Sequence, residues 1–158
     1  MSIWQKDDDE RFMRLAIEEA RKAADLGEVP VGAVIVKDGE VVSAGHNTRE
    51  TEKSALGHAE ITAIQNACRA LNGWRLQDCV LYVTLEPCSM CAGAILNARI
   101  RRVVFGADDE KAGCCKSVIN LFDCGFPFRP AVTSGVLQEE CNRLLADFFA
   151  SLRGNADR

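Results

Sequence analysis

The chain has 158 residues, of which 47% are apolar and 27% charged, with a net charge of −4. These values are typical of one globular domain, here spanning 1–158, and no run of about 18 apolar residues predicts a membrane span. The acidic balance argues against a broad nonspecific nucleic-acid binder, although a local basic face is compatible with it. The eight cysteines follow no apolar secretory segment, so we expect a cytoplasmic protein with buried or metal-binding thiols.

The first half of the chain predicts a helix followed by a hairpin. An acidic run at 7–10 suits a helix N-terminus, and apolar residues then recur at helical spacing as far as Gly27, a plausible stop. A buried strand is expected over 31–36. The Asp38-Gly39 turn joins it to an antiparallel strand over 40–44.

The second half alternates helices and strands. Helices are predicted over 58–71 and 89–97, and strands over 79–85 and 102–105; this strand–helix–strand unit favours parallel pairing. A short turn or helix near 118–122 and a strand near 131–133 precede a last helix. That helix has one wide apolar stripe: Leu137, Cys141, Leu144, Leu145, Phe148, Phe149 and Leu152. The sum is an α/β fold, a mixed sheet with helices on both faces.

The combination His58-Ala59-Glu60 and Pro87-Cys88-Ser89-Met90-Cys91 carries the chemistry. Catalytic zinc takes three protein ligands and keeps a fourth position open, whereas structural zinc is usually closed by four. Pro87 suits the first turn of a helix and places Cys88 and Cys91 on one turn. We expect both ligand groups at helix N-termini, whose partial positive charge lowers thiol pKa values.

An open zinc position makes hydroxide available near neutral pH. Glu60 is not needed as a ligand, so it is free to take a proton from water and pass it to the leaving group. Hydrolysis of a C–N bond on an unsaturated ring requires these two functions, because nitrogen is a poor leaving group until it is protonated. H-x-E followed by P-C-x-x-C is the signature of zinc nucleobase deaminases.

Further segments extend the match over about 11–153. They are Glu28-Val29-Pro30-Val31-Gly32-Ala33-Val34, Gly45-His46-Asn47, the run from Leu81 to Ala94, and Val104-Phe105-Gly106-Ala107. Together with the zinc signature, this ordered set resembles bacterial tRNA adenosine deaminases (the TadA family). The resemblance implies a cytidine-deaminase-like three-layer α/β/α sandwich with a mixed five-stranded sheet. It also implies a homodimer that converts the wobble adenosine of a tRNA anticodon loop to inosine, with no organic cofactor.

Individual roles follow from the same resemblance. His58, Cys88 and Cys91 would hold one Zn²⁺ per chain, and Glu60 would be the catalytic proton shuttle. Asn47 matches the residue that hydrogen-bonds the flipped base, and Asp109 lies where the family has an aspartate near a ribose of the loop.

The chain departs from the family in its 54–57 and 126–129 segments and in its neutral 154–158 tail. Because phosphate contacts dominate nucleic-acid affinity, these departures keep a second hypothesis open, a deaminase of free guanine, cytosine or a nucleoside. A zinc-stabilised binding module without catalysis is a third.

Two aromatic and three cysteine side chains have no assigned role. Phe126 and Phe128 are compatible with stacking on RNA bases, with covering the core edge, or with a dimer contact. A second metal site at Cys114, Cys115 and Cys124 is disfavoured, since adjacent cysteines rarely share an ion and no histidine follows them.

Overall fold

A computed structural model describes residues 3–156, and the side chains of residues 5–154. The helices are α1 (Ile3–Asp25), α2 (Ala59–Ala70), α3 (Ser89–Ala98) and α4 (Gln138–Ala156), with a short 3-10 helix at Leu121–Asp123. The strands are β1 (Gly32–Lys37), β2 (Glu40–His46), β3 (Cys79–Leu85), β4 (Arg102–Ala107) and β5 (Ala131–Thr133). The tail residues Asp157 and Arg158 lie outside the described residues.

The five strands form one mixed sheet in the order β2-β1-β3-β4-β5. β1 pairs antiparallel with both β2 and β3, whereas β3–β4 and β4–β5 are parallel. The α3 crossover between β3 and β4 accounts for the parallel pair. The predicted mixed five-stranded sheet is confirmed.

Helices cover both faces of the sheet. Alternate residues of β1 point to opposite sides: Ile35 belongs to the core under α2 and α3, and Val34 to the core under α1 and α4. Each face therefore buries its own apolar cluster, and the three-layer α/β/α arrangement is confirmed. No helix among the described residues is long and apolar enough to cross a membrane.

Close approach of α2 to β2 depends on Gly45. A Cβ at this position would lie 2.5 Å from the Ala59 carbonyl oxygen and 2.9 Å from the Ala63 nitrogen. A larger residue would therefore push the helix away, and Gly45 keeps the start of α2 beside the end of β2.

The acidic run was wrongly predicted to mark the start of the first helix. α1 begins at Ile3, and Asp9 lies within it, buried against the sheet. The Asp9 carboxylate accepts hydrogen bonds from Tyr82 Oη at 2.8 Å and from Arg102 Nη1 and Nη2 at 2.8 and 2.7 Å. Arg102 Nη2 also donates to Thr133 Oγ1 at 2.9 Å. A buried ion pair, and not the helix dipole, explains this aspartate.

The apolar stripe of α4 is only partly buried. Cys141 is buried, and Leu144 and Leu145 are half-buried against the α1 face of the sheet. Phe149 and Leu152 further along are 43% and 48% exposed. The helix therefore extends past the surface that its first half covers.

Candidate active site

The segments that carry the predicted site meet at one edge of the sheet, the edge formed by the ends of the strands. β2, β3 and β4 end there, the chain enters β1 there, and α2 and α3 begin there. The carboxyl ends of strands are the usual place for ligand binding in open α/β sheets. A cavity of about 400 Å³ opens at this edge and is lined by residues from all these segments, including Asn47, His58, Glu60, Cys88 and Asp109.

Two helix starts present the three side chains that are predicted to bind a metal ion. His58 is the N-cap of α2 and Cys88 the N-cap of α3, and neither side chain makes a capping hydrogen bond. Both are therefore left to project towards the cavity. Pro87 lies just before the α3 N-cap, so its predicted place in the first turn was wrong by two positions. Cys91, in the first turn of α3, is completely buried.

The three predicted ligands lie together. His58 Nδ1 is 3.5 Å from Cys88 Sγ and 3.5 Å from Cys91 Sγ, and all three atoms lie within 4.8 Å of one another. Zinc bonds of about 2.0 Å to nitrogen and 2.3 Å to sulfur at a tetrahedral angle separate these atoms by about 3.5 Å. The donor set and its spacing therefore fit a zinc ion with one further position.

The two thiols differ in their pKa values. Hydrogen bonding with Cys91, together with His58, lowers the pKa of Cys88 to about 3. The neighbouring Cys88 sulfur and burial instead raise the pKa of Cys91. For Cys91 these two causes act against the lowering of the pKa that is expected at a helix N-terminus. Two adjacent thiolates need a cation between them, and a coordinated thiol loses its proton.

Glu60 is a carboxylate that interacts with His58, Cys88 and Cys91. It lies in the first turn of α2, only 4% exposed, and is not among the three residues placed to hold an ion. Burial raises the pKa of Glu60 to about 7. A carboxyl group with this pKa both accepts and releases protons near neutral pH, which suits a general acid–base.

Asn47 lines the cavity with its amide fixed in orientation. Nδ2 donates to the Val29 carbonyl oxygen at 3.2 Å, and Oδ1 accepts from the Arg49 backbone N–H at 3.0 Å. An amide has two N–H donors and two acceptor lone pairs. One of each therefore remains for a ligand, presented in a defined direction.

Asp109 lines the opposite wall and is also part of a turn. Its Oδ1 accepts from the backbone N–H groups of Lys111 and Ala112, both at 3.1 Å. Its Oδ2 takes part in none of the hydrogen bonds found among residues 5–154. One oxygen of Asp109 thus shapes the wall, and the other is available to a ligand.

Two buried glutamates that were not predicted as site residues, Glu28 and Glu86, also line the cavity. Each adjoins apolar residues, in Glu28-Val29-Pro30 or Leu85-Glu86-Pro87. A single charged residue in such a place is the sequence feature that could have indicated a buried carboxylate. Glu28 accepts hydrogen bonds from the backbone of Glu50 and Thr51. Leu152 of α4, which was predicted only as part of an apolar stripe, also lines the cavity.

The three cysteines and two phenylalanines without an assigned role occupy different environments. Cys114 and Cys115 are buried and Cys124 is exposed, and His58, Cys88 and Cys91 form the only group among the described side chains that could hold a metal ion. Phe128 packs against the core edge with the Arg99 guanidinium 5.9 Å from its ring centre, while Phe126 is exposed.

Comparisons with known proteins identify similar chains. The profile of MafB19-like deaminases matches residues 7–153. The tRNA-specific adenosine deaminase of Bacillus subtilis (strain 168) is 51% identical over 146 residues, covering 92% of this chain and 91% of that relative. A structure from work on A-to-I editing by tRNA:A34 deaminases at the wobble position has a TM-score of 0.81 at 45% identity, covering 85% of this chain and 99% of that chain. A guanine deaminase from Bacillus subtilis is more distant, with a TM-score of 0.60 at 32% identity, covering 75% and 86%.

Proposed function

Because the chain belongs to the tRNA-specific adenosine deaminases, within the MafB19-like deaminases, we propose that it hydrolyses adenosine to inosine at the wobble position of tRNA. The observation that carries this proposal is the His58, Cys88 and Cys91 group beside the buried Glu60. His58, Cys88 and Glu60 line a cavity of about 400 Å³. The resemblance noted from the sequence motifs agrees with this membership.

One Zn²⁺ per chain would be held by His58 Nδ1, Cys88 Sγ and Cys91 Sγ, the atoms whose 3.5 Å separations fit tetrahedral bonding. With its fourth position open, this ion would lower the pKa of a water molecule to about 7. No organic cofactor is needed for the hydrolysis.

Glu60 moves the protons in this proposal. Its carboxylate accepts a proton from the attacking water and returns protons to the base, so that the exocyclic amine leaves C6 as ammonia. One water is consumed, the C6–N bond breaks, and a C6–O bond forms. Burial of Glu60 raises its pKa to about 7, which suits both directions of transfer.

The cavity walls orient the flipped base. Asn47 presents one donor and one acceptor in the direction set by Val29 and Arg49. On the other wall Asp109 offers Oδ2 to a ribose hydroxyl. Reading of a flipped base by such contacts is general for enzymes that act on a base in nucleic acid.

The assembly and location are part of the same proposal. We propose a single deaminase domain over 1–158 that acts as a homodimer on the tRNA anticodon loop in the cytoplasm, without association with membranes. Exposed apolar side chains such as Phe126 and Ile119 offer surface for a second copy.

A substrate panel tests the activity. Purified protein with and without a chelator is incubated with an anticodon stem-loop carrying wobble adenosine, and with free adenosine, guanine and cytosine. We expect inosine only in the stem-loop and only without chelator. Ammonia release from guanine or cytosine, with an unmodified stem-loop, would instead support the alternative of a free-base deaminase. If the protein contains zinc but deaminates none of these substrates, the result would support the third hypothesis, a zinc-stabilised binding module without catalysis.

A further inference from the structure

We propose that Glu86 is a positioning residue of the deaminase, one whose carboxylate holds the chain segment 109–117 and thereby sets one wall of the cavity. The inference rests on the proposed function for its kinetic test only. It concerns a residue with no part in the proton transfers described above.

Glu86 occupies a junction between the sheet and the metal-binding helix. It follows the last residue of β3, and its backbone N–H donates to the Ala107 carbonyl oxygen at 2.8 Å, continuing the parallel pairing with β4. Two residues later the chain reaches Cys88. The side chain is only 2% exposed, so its charge is compensated by neighbours and not by solvent.

All four hydrogen bonds to this carboxylate come from the segment 109–117. Oε1 accepts from the Asp109 backbone N–H at 3.0 Å and from Ser117 Oγ. Oε2 accepts from the backbone N–H groups of Cys115 at 3.2 Å and Ser117 at 2.8 Å. A carboxylate has about four acceptor sites. Glu86 is therefore saturated, which leaves it no role as a second acid or base.

The segment is wrapped closely around the carboxylate. A Cβ at Gly113 would overlap the Glu86 carboxyl group, so only glycine allows this approach. On the far side the Cys114 backbone N–H donates to the Pro87 carbonyl oxygen at 2.8 Å. The segment is thus attached both to Glu86 and to the residue before Cys88.

The same segment forms the cavity wall. Asp109 and Ala112 line the cavity, and the Gly113 backbone N–H donates to the Asp109 carbonyl oxygen at 2.8 Å. Since Glu86 holds the Asp109 backbone N–H, the position of this wall depends on one buried carboxylate. Loss of its charge-assisted bonds should displace the wall without changing the metal ligands.

The test uses Glu86→Gln, which keeps the shape but places an amide NH₂ against backbone N–H donors. With the wobble-adenosine stem-loop, we expect at least a tenfold rise in KM, less than a threefold fall in kcat, and unchanged zinc content. Deuterium exchange should become faster in 109–117 and stay unchanged in 59–64. Ser117→Ala, which removes one of the four donors, should shift KM and exchange in the same direction by less.

Asp9→Asn is the matched control, since it destabilises the fold far from the cavity and should leave KM unchanged. Unaltered exchange in 109–117, or a loss of kcat with KM unchanged, would overturn the proposal. If Glu86→Gln does not fold, Ser117→Ala decides by the same measurements. If the wild-type protein deaminates no stem-loop, the proposed function fails, but the exchange comparison still tests whether Glu86 holds the segment.

Discussion

The Glu28 carboxylate accepts a 2.9 Å hydrogen bond from the Thr51 backbone N–H, 23 positions further along the chain. Together with the bonds from Glu50, this contact fixes the loop between β2 and α2 that leads to His58. Glu28 and Glu86 thus play similar parts, because each carboxylate accepts backbone hydrogen bonds from a loop that lines the cavity.

Stability should depend on pH through Glu28. Burial opposes its ionisation, but hydrogen bonds from Thr51 and Glu50 outweigh burial and lower the pKa of Glu28. Its stabilisation is therefore complete above the unfolded value of about 4.3 and is lost as pH falls through the lower folded value. In urea unfolding, we expect Glu28→Gln to cost about 2 kcal/mol at pH 7.

The difference between wild type and Glu28→Gln should then shrink at acid pH. Glu18→Gln, on the exposed side of α1, is the control and should change stability little at either pH. A Glu28→Gln difference that is constant down to the acid limit of folding would contradict the assignment.

Replacing Glu60 with alanine should separate proton transfer from metal binding. We expect zinc content and unfolding to stay near wild type, and the rate of inosine formation to fall about 10²- to 10⁴-fold. Metal analysis and single-turnover kinetics on the stem-loop provide the measurement. Loss of zinc in this variant would mean that Glu60 is a ligand.

Cys88→Ala should remove metal and stability together, because metal binding is coupled to folding. A loss of about 3 kcal/mol would lower the Tm by roughly 6–12 °C. Cys124→Ala is the control, since this thiol is exposed and does not belong to the His58, Cys88 and Cys91 group. Metal content and calorimetry compare the two variants, and full zinc occupancy in Cys88→Ala would disprove the ligand role.

Asn47→Asp tests whether this amide contacts the base as proposed. The new carboxylate oxygen would face the Val29 carbonyl oxygen, which now accepts from Nδ2. We expect kcat/KM on the stem-loop to fall about a hundredfold, about 2.7 kcal/mol of transition-state binding, with zinc retained. Asn142→Asp on the exposed surface of α4 should have no such effect, and equal kinetics in the two variants would exclude a base contact.

Asp9→Asn should destabilise the protein without affecting its site. Breaking a buried ion pair leaves the Arg102 charge uncompensated and costs about 3–5 kcal/mol. Asp8→Asn is the neighbouring control, because its side chain is 61% exposed in its pair with Arg11 and such pairs contribute about 0–1 kcal/mol. Urea unfolding measures both, and equal stability in the two would show that the network contributes nothing.

Local patterns predicted most of the fold and the metal-binding group. The spacing of Phe12, Ala16 and Ala20 identified the buried face of α1, and the segments around His58 and Cys88 identified three side chains that the fold brings together. These signals lie within a few residues of one another, where periodicity and spacing are informative.

Interactions between distant segments were not predictable in this way. Asp9 meets Arg102 across 93 positions, so the acidic run looked like a helix start. The partners of Glu28 and Glu86 are mainly backbone N–H groups, which every residue except proline carries and which leave no trace in sequence. The apolar stripe on α4 similarly predicted one apolar face of the helix. It did not reveal at which residue the helix stops packing against the sheet.

The side chains placed to hold an ion come from two helix starts anchored in the apolar layers, whereas the loops that bring Glu50 and Asp109 to the cavity are each tied to a buried glutamate. Substitutions in the loops can therefore retune which molecule is admitted while leaving the hydrolytic machinery intact. Relatives of this chain are named for tRNA adenosine and for guanine, and the division between helix starts and loops marks the loops as the place to engineer new selectivity.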